Sequence, residues 1–405
     1  MLPQKYLYYI DKRLKQLKKC SRAFGGVVIV MIGDISQLPP VQQIPVWDDR
    51  YVNDNGKQKD DDSLFGMSLW FTHFRTVVKL EKNNRLDQND PDSVIAAEIL
   101  EGISVGELTD KNFDKIITTC SRNTMLLQKW KERGFEDDLA TWLFPKNDQV
   151  LKHNYDRLKK LQNPILKVDA KNSSKSARAK KSDFFQNLEN HLYLSVEALV
   201  LLIINLCPSI GLANGSTGII KQIVWNSTAI DETISDADNM FVWVDFGHDY
   251  KGESFFPGDE GKKGWFPIFS KVVQNTERNN SNNKGYLVHE RSMLPLKLSW
   301  AWTIHKSQGQ TMKNKVIIDL GKDETTLGLA YVAFLRATKL SNIGIVGGVT
   351  KERLTTVIQN KKSLERRIKA DKLLDNLEIK TKLLCIKVKN SLRHHRDVLR
   401  CLLLQ

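Results

Sequence analysis

Residues 33–41 (GDISQLPPV) place an acid and an amide directly after a continuous apolar run, residues 27–32. A β-branched run of this kind predicts a strand buried on both faces of a parallel sheet. Open α/β sheets bind ligands at the carboxyl ends of their strands, so Asp34 and Gln37 are candidates for contact with a bound ligand. The alternative is a plain strand-ending turn in which Gly33 and Asp34 make the bend.

Two further segments carry polar side chains in positions that suit phosphate chemistry. Residues 302–311 (WTIHKSQGQT) concentrate hydroxyls, an imidazole, an ammonium and an amide, which suits the phosphate oxygens of a nucleic-acid strand or a nucleotide. A lone histidine such as His305 is more often a packing residue. In residues 331–340 (YVAFLRATKL), Arg336 is either a solvated surface residue or a finger that stabilises charge on a transferred phosphoryl group.

The elements around these segments follow an α/β pattern interrupted by a β-rich part. Apolar residues at spacings of three and four predict an amphipathic helix over residues 4–20, and 93–101 is helix-like. Between 192 and 269 short apolar runs are separated by Gly, Asn, Asp and Pro, which predicts a small antiparallel barrel inserted between α/β parts. The predicted strands are, in order, 27–32, 77–80, 192–205, 218–225, 241–246, 265–269, 315–320 and 343–346.

Composition narrows the class of protein. The 405 residues are enough for two or three domains, and 61 Lys and Arg against 47 Asp and Glu give a net charge of +14, which favours an anionic partner such as nucleic acid. No segment reaches the roughly 20 apolar residues that span a bilayer, so we expect no membrane partner. The cysteines form no Cys-x-x-Cys pair, which argues against a zinc knuckle and a disulfide framework and favours a reducing compartment; they are Cys20, Cys120, Cys207, Cys385 and Cys401.

Two further segments of the chain are rich in basic residues. Residues 169–181 (DAKNSSKSARAKK) contain no large apolar side chain, which predicts a flexible loop, and residues 175–181 within it are either a nuclear import signal or a plain linker. The last 55 residues hold 15 Lys and Arg against 6 Asp and Glu on a helix-prone pattern. They are interpreted as a DNA-contacting or targeting extension, a solvated helix or an unselected read-through.

Taken together, the three polar segments resemble the Pif (petite integration frequency) family of ATP-dependent DNA helicases, which lies in superfamily one beside the RecD-like enzymes. The likeness runs in the same order along residues 1–350. It includes KLEKNNRL around Arg85, WLFPKNDQVLKHN at 142–154, and NLCPSIGLANGSTGIIKQIVW at 205–225 with its Asn-Leu, Gly-Leu and Asn-Gly pairs.

The resemblance implies RecA-like lobes of the P-loop NTPase class, the first of them incomplete, with an inserted SH3-like β-barrel and a basic helical tail. It divides the chain into a remnant of the first lobe, two parts of the second lobe separated by a flexible basic linker and the barrel, and the tail. In chain order these are 1–74, 75–168 with linker 169–190, barrel 191–294, second-lobe part 295–350, and tail 351–405.

The resemblance also assigns roles to individual residues. It implies that Gln37 senses the γ-phosphate, that Arg85 and Arg336 contact phosphates, and that Gln308 and Gly309 link this nucleotide contact to DNA. His305, Lys306 and Ser307 would hold single-stranded DNA. In the family, ATP and Mg²⁺ drive closure of the two lobes, and each cycle moves the enzyme 5′ to 3′ along one strand.

One motif of ATP hydrolysis does not occur in the printed sequence. Phosphates are held by Gly-x-x-x-x-Gly-Lys-Ser/Thr, and the three Gly-Lys pairs here are followed by Gln58, Lys263 and Asp323. Asp-Glu pairs for magnesium also lack the family's context, since the likeness begins just after that position. We therefore expect an N-terminally truncated member that binds ATP and Mg²⁺ poorly and hydrolyses little ATP, with no metal site of its own and a first lobe of low stability.

Three functions remain open from the sequence. The first is a fragment of a Pif-type helicase acting in DNA repair, recombination and telomere maintenance. The second is a non-catalytic module that binds single-stranded DNA, and the third is a remnant of a mobile-element helicase. The expected partners are single-stranded or forked DNA, the expected state is a monomer, and the expected location is the nucleus, with the mitochondrion as the alternative.

Overall fold

The structure, a computed structural model, describes residues 2–52, 56, 58–80, 91–136, 140–225, 235–278, 285–312, 314–321, 326–355 and 357–402. Within them lie ten α-helices: α1 (Gln4–Lys18), α2 (Asp61–His73), α3 (Pro91–Val105), α4 (Asp110–Cys120), α5 (Leu127–Glu132), α6 (Asn147–Lys160), α7 (Lys175–Ala179), α8 (Leu329–Phe334), α9 (Lys351–Thr355) and α10 (Val357–Leu402). The helices predicted at 4–20 and 93–101 are confirmed as α1 and α3.

The same residues form fifteen strands: β1 (Thr141–Phe144), β2 (Leu166–Asp169), β3 (Lys171–Asn172), β4 (His191–Leu194), β5 (Leu199–Leu202), β6 (Thr217–Trp225), β7 (Ser235–Asp236), β8 (Met240–Asp245), β9 (Trp265–Phe269), β10 (Lys271–Arg278), β11 (Tyr286–Met293), β12 (Leu296–Leu298), β13 (Ala301–Thr303), β14 (Val316–Asp319) and β15 (Ile343–Val346). The chain divides into two compact units, 1–135 with 304–405, and 136–303.

The first unit is mainly helical around a short parallel pair of strands. β14 and β15 pair in parallel from Val316–Ile343 to Asp319–Val346 and are buried, as their apolar sequences predict. The unit contains both the predicted first-lobe remnant, 1–74, and residues 75–135, which the sequence assigns to the second lobe. The lobe assignments themselves stay predictions.

The strand predicted at 27–32 does not form. No strand of the described residues pairs with this extended segment, and Val28, Val30 and Ile32 are 87%, 78% and 91% exposed. Its other face packs on the cluster of Leu7, Phe24 and Val46 through Ile29 and Met31. The apolar run has the alternation of a strand, but a strand also needs a hydrogen-bonded neighbour, which these residues lack within the described part of the chain.

The strand predicted at 77–80 is also wrong, because this segment lies along a helix. Thr381 Oγ1 of α10 accepts the Val77 N–H at 3.1 Å, and Glu378 Oε1 accepts the Lys79 N–H at 3.0 Å. The Lys79 ammonium pairs with Asp371 at 3.0 Å and with Asp375. Side chains of the basic tail thus satisfy the amides that a neighbouring strand would otherwise take.

The second unit is built on antiparallel sheet, as the spacing of short apolar runs predicts. Five strands are hydrogen bonded in the order β12-β5-β6-β8-β9, every neighbouring pair being antiparallel. β10 pairs with β11 over its whole length, and β11 also pairs with β3. β2 lies between β4 and β7, and β1 pairs in parallel with β13.

The predicted flexible linker at 169–190 is folded. β2 ends in it and β3 and α7 lie within it, while Ala177, Phe185 and Leu188 are fully buried. The order comes from Arg291 on β11, a residue more than 100 positions away in sequence, which donates hydrogen bonds to the segment's carbonyls. A local composition pattern contains no information about such a partner.

Candidate functional site

The loop at 33–41 is organised by one carboxylate. Asp34 Oδ1 accepts the Ser36 N–H at 2.8 Å, which closes a tight turn, and Asp34 Oδ2 accepts hydrogen bonds from the Gln37 amide at 3.2 Å and the Tyr331 hydroxyl at 3.1 Å. Leu38 anchors the far end of the turn, being almost fully buried. The side chains of the predicted ligand-binding loop are therefore held in place before any ligand arrives.

Gln37 and Gln308, two of the predicted site residues, are in direct contact. Gln308 Nε2 donates to Gln37 Oε1 at 3.1 Å, while Gln37 Nε2 donates to Asp34. Both ends of the Gln37 amide are thus engaged. The contact joins loops that are 271 residues apart in sequence, and it brings together two of the segments singled out by their polar side chains.

The segment at 304–312 is a series of turns with a buried centre. Ser307 is fully buried and its hydroxyl donates to the Ile304 carbonyl at 2.8 Å, whereas Lys306 is exposed and His305 is half-buried. Gly309 adopts a φ of +87°, a conformation that side chains with a Cβ rarely adopt. Of the three residues predicted to hold DNA, Lys306 is the one the structure exposes to solvent.

Arg336 is buried, and its guanidinium is directed at backbone carbonyls. Nε donates to Val332 O at 2.9 Å, and Nη1 donates to Ser307 O at 2.8 Å and to Gln310 O at 2.6 Å. The Arg336 carbonyl in turn accepts the Met312 N–H at 2.8 Å. The arginine therefore connects α8 to the 304–312 segment, so the second and third predicted segments are in contact.

Two residues of this site escaped the sequence analysis. Tyr331 lies in a quoted motif, but its hydroxyl partner Asp34 lies 297 positions away. Burial, the charge of Asp34 and their hydrogen bond raise the pKa of Tyr331, so the hydroxyl remains a donor. Arg367 lies in the basic tail, is 4% exposed, and donates to Ser36 O at 3.2 Å and to Ser104 O.

No sequence motif marks Arg367 as a residue of this site. Burial lowers the pKa of its guanidinium, and the nearby Asp34 and Tyr331 oppose that shift. The tail thus reaches the Gln37 loop with a buried cation. Arg85, the remaining predicted site residue, lies outside the described residues, so its role stays a prediction.

The close approach of α8 to the Gln37 loop depends on a glycine. Gly328 precedes α8 with a φ of +87°, and a Cβ on it would lie 2.9 Å from Ser36 O and 3.3 Å from the Gln37 carbonyl carbon. A side chain there would push the loop away. This requirement is the physical reason for a glycine directly before α8, three residues ahead of the YVAFLRATKL segment.

The two quoted segments of the second unit, 142–154 and 205–225, stabilise its fold. Asn154 of α6 is buried, with its Nδ2 donating to Leu298 O and Ala301 O at 3.2 Å and its Oδ1 accepting the Ala301 N–H at 2.7 Å. Asn205 Oδ1 accepts the Asn214 N–H at 2.8 Å, and a Cβ on Gly211 would lie 1.9 Å from Asp249 O. These residues fix turns and a helix, and their direct part in ligand binding stays a prediction.

The described residues contain neither a metal-binding cluster nor a membrane-spanning helix. Within the described residues, no group of three or more His, Cys, Asp or Glu side chains is arranged to hold a metal ion. No helix in that part of the chain has the length and apolar character needed to cross a membrane.

No family model matches the chain. Among curated proteins, it is 26% identical over 336 residues to ATP-dependent DNA helicase PIF6 of Trypanosoma brucei brucei, covering 81% of this chain and 37% of that protein. It is 27% identical over 349 residues to ATP-dependent DNA helicase PIF1 of Danio rerio, covering 85% of this chain and 45% of that protein. The chain thus spans less than half the length of these relatives.

Solved structures show the same fold. The Pif1 helicase of Candida albicans matches with a TM-score of 0.61 at 22% identity, over 90% of this chain and 75% of that one. A Bacteroides Pif1 in complex with ADP-AlF3 and single-stranded DNA matches with a TM-score of 0.59 at 24% identity, over 90% and 73%.

A third structure, described as two coordinating Pif1 helicases at forked double-stranded DNA, matches with a TM-score of 0.54 at 20% identity, over 90% and 72%. It gives no support to the expected monomer. The shared architecture is the RecA-like, mixed α/β helicase fold. In sequence, this chain is similar to ATP-dependent DNA helicases named for the Pif family, and it shares the fold of their solved structures.

Proposed function

We propose that this chain is the part of a 5′-to-3′ Pif-type DNA helicase that responds to ATP, and that it holds single-stranded DNA through His305, Lys306 and Ser307. The observation that supports this best is the hydrogen bond between Gln308 and Gln37. It joins the segment proposed to hold DNA to the loop proposed to sense the γ-phosphate. A change at either end reaches the other through one contact.

Arg336 gives this link a mechanism. The resemblance implies that Arg336 and Arg85 contact phosphate, and Arg336 Nη1 donates to Ser307 O and Gln310 O in the structure. If the guanidinium turns toward a phosphate, the loop that carries Lys306 and Gly309 loses two of its anchors. The grip on DNA then changes with the nucleotide state, since a buried carbonyl without a donor is costly and the loop must rearrange.

ATP and Mg²⁺ are proposed as the cofactors of full-length family members, and this chain is proposed to bind them poorly. The printed sequence contains no Gly-x-x-x-x-Gly-Lys-Ser/Thr, whose amides and lysine hold the phosphates. An arginine finger raises the rate by about 10³ to 10⁵ when phosphate and metal are already bound in place. The polypeptide of this sequence alone is therefore expected to hydrolyse ATP at a negligible rate.

The remaining expectations belong to the same proposal. The insert at 191–294 is an SH3-like barrel, residues 351–405 are a basic helical tail, and the partner is single-stranded or forked DNA bound by a monomer. The proposed roles are DNA repair, recombination and telomere maintenance, in the nucleus or, as the alternative, the mitochondrion. The alternatives are a non-catalytic single-stranded-DNA-binding module and a mobile-element remnant.

Salt-dependent DNA binding tests the DNA contact. Lys306→Ala removes an exposed lysine of the first unit, and Lys111→Ala removes another such lysine and the same charge far from the 304–312 segment in sequence. For a fluorescent single strand, the slope of log affinity against log salt should become about 0.7 less negative in Lys306→Ala. It should stay unchanged in Lys111→Ala. Equal slopes in the two variants contradict the proposed contact.

ATP turnover tests the nucleotide half separately. With Mg²⁺, ATP and single-stranded DNA, the unmodified chain should release phosphate at the background rate. Turnover above background that disappears in Gln37→Ala contradicts the expectation, because contaminating ATPases do not respond to that change. An in-frame Gly-Lys-Thr segment in the genomic sequence upstream would favour the helicase over the two alternatives.

A further inference from the structure

Three basic side chains of the second unit lie on a short segment whose backbone is held by hydrogen bonds. Lys175 and Arg178 lie three residues apart on α7, so they occupy the same face of one helical turn, and Lys181 is the second residue after the helix. All three are exposed. Within the described residues none of them forms an ion pair, whereas their neighbour Lys180 pairs with Glu277 at 2.5 Å. These three residues are called the basic platform below.

The support of the basic platform is the buried side chain of Arg291. Its Nη2 donates to Ala177 O and Lys180 O, both at 3.0 Å, its Nη1 to Leu188 O at 2.9 Å, and its Nε to Asn172 Oδ1 at 2.9 Å. The guanidinium also lies 4.4 Å from the centre of the Phe185 ring. All of these hydrogen bonds bind the 172–190 segment to β11.

Further hydrogen bonds fix the helix itself. Ser174 Oγ accepts the Ala177 N–H at 3.0 Å and so caps the start of α7, and Asn190 Nδ2 donates to Arg178 O at 2.7 Å. On the other side, Ser173 N–H donates to Glu290 O and Glu290 N–H donates to Ser173 Oγ, each at 3.0 Å. The segment is thus fixed at both ends of α7.

A bound polyanion would relieve the repulsion between the charges of the platform. Like charges on one face of a helical turn repel each other, and a buried guanidinium loses its hydration. Ordering the segment in advance also favours binding, because side chains held by a fixed backbone lose less entropy when they meet a ligand. The neighbouring acids are Asp183, whose carboxylate accepts the Phe184 N–H, and Glu189.

We propose that Lys175, Arg178 and Lys181 form a second nucleic-acid contact of this chain, which binds backbone phosphates of DNA independently of base sequence. It lies on the second unit, whereas the proposed contact at 305–307 lies on the first. The identity of the polyanion as DNA rests on the proposed function. The existence of a preorganised phosphate site rests on Arg291 and the unpaired charges alone.

Charge removal with a matched control tests the contact. The triple variant Lys175→Ala, Arg178→Ala, Lys181→Ala loses three charges, and Lys251→Ala, Lys263→Ala, Lys271→Ala loses three charges from exposed lysines of the same unit. Binding of a fluorescent single strand and of a duplex is measured across a salt series. The platform variant should bind on the order of tenfold or more weakly near 0.1 M salt, with a slope less negative by about 2 for the single strand or nearly 3 for the duplex.

The outcomes separate this inference from the proposed function. A platform variant that binds like the matched triple overturns the inference, whatever Lys306→Ala does. A weakened platform variant together with an unaffected Lys306→Ala supports the inference and contradicts the proposed contact at 305–307. The probe whose affinity and salt slope change identifies the strand form that the platform contacts.

A variant that keeps every charge tests the support. Arg291→Lys retains the positive charge but cannot reach four acceptors, since an ammonium lacks the planar fork of a guanidinium. This variant should bind DNA several-fold more weakly and should be cleaved by trypsin between residues 175 and 181. Its far-ultraviolet circular dichroism spectrum should stay close to that of the unmodified chain. Cleavage there with unchanged DNA affinity overturns the role of preorganisation, and Ser174→Ala gives a milder second case through the lost helix cap.

Discussion

The hydroxyl of Tyr331 donates to the same carboxylate oxygen of Asp34 that the Gln37 amide uses, at 3.1 and 3.2 Å. One aspartate therefore holds the Gln37 loop to α8. Burial, the charge of Asp34 and their hydrogen bond raise the pKa of Tyr331, so this donor stays protonated through the neutral pH range. The loop geometry consequently does not depend on a tyrosine titration.

Tyr331→Phe should destabilise the first unit by about 1.5 to 3 kcal/mol, the usual range for a hydrogen bond to a charged group. Tyr9→Phe is the matched control, because the Tyr9 hydroxyl donates to Asp62 at 2.8 Å on the surface. Tyr9→Phe should change the free energy of unfolding by no more than about 0.5 kcal/mol. Urea denaturation of both variants measures the difference. Equal losses in the free energy of unfolding would contradict a stabilising role for the buried hydrogen bond between Tyr331 and Asp34.

Gly328→Ala should destabilise the same unit by about 1 to 3 kcal/mol through its positive φ alone, and the contact of the new Cβ with Ser36 O adds to this. Gly348→Ala is the control, since no atom lies within 4 Å of its Cβ position. Thermal unfolding compares the two variants. A neutral Gly328→Ala would show that α8 and the Gln37 loop are not in close contact.

His153 predicts a pH dependence of stability in the second unit. Burial, with its ring centre 4.7 Å from Trp142 and 5.5 Å from Phe144, and the charges of Arg157 and Lys160 lower its pKa to about 4. The unfolded chain takes up the proton near pH 6.5 and the folded chain only near pH 4. The contribution of neutral His153 is therefore complete above pH 6.5 and is lost as the pH falls from 6.5 toward 4.

The variant His153→Phe should flatten this dependence. Urea midpoints at pH 7.5 and pH 5 should differ less in His153→Phe than in the unmodified chain, while His191→Gln, a change at an exposed histidine, should leave the difference as it was. An unchanged pH response in His153→Phe would show that other groups cause it.

The contact between the tail and residues 77–79 is testable at one atom. Thr381 Oγ1 donates to Leu377 O at 2.8 Å and accepts the Val77 N–H at 3.1 Å. Thr381→Val keeps the shape and removes the acceptor, which should cost about 1 to 3 kcal/mol for a donor left without a partner. Hydrogen exchange of the Val77 amide should accelerate, whereas Lys380→Ala on the same helix should leave it unchanged.

Elements with a local, periodic sequence signal form where the sequence predicts them. The spacing in α1 and the β-branched runs of β14 and β15 correspond to elements at nearly the predicted residues. The resemblance groups the polar segments into one site, and in the structure Gln37 and Gln308 are in hydrogen-bond contact.

The failures concern partners that are distant in sequence. Residues 27–32 have the pattern of an inner strand, but a pattern cannot supply the neighbouring strand. Residues 169–181 look flexible until Arg291 is known to bind their carbonyls. The three carbonyl partners of Arg336 could be identified only from the folded chain, and its contact with phosphate stays a prediction.

The extended segment at 27–32 also affects how the polypeptide behaves in solution. It exposes Val28, Val30 and Ile32 along one side of a backbone that pairs with no strand of the described residues. Exposed apolar edges of this kind recruit extended segments of other molecules. Preparations of this chain should therefore self-associate as concentration rises, and a lysine introduced at one of these three positions should keep them dispersed.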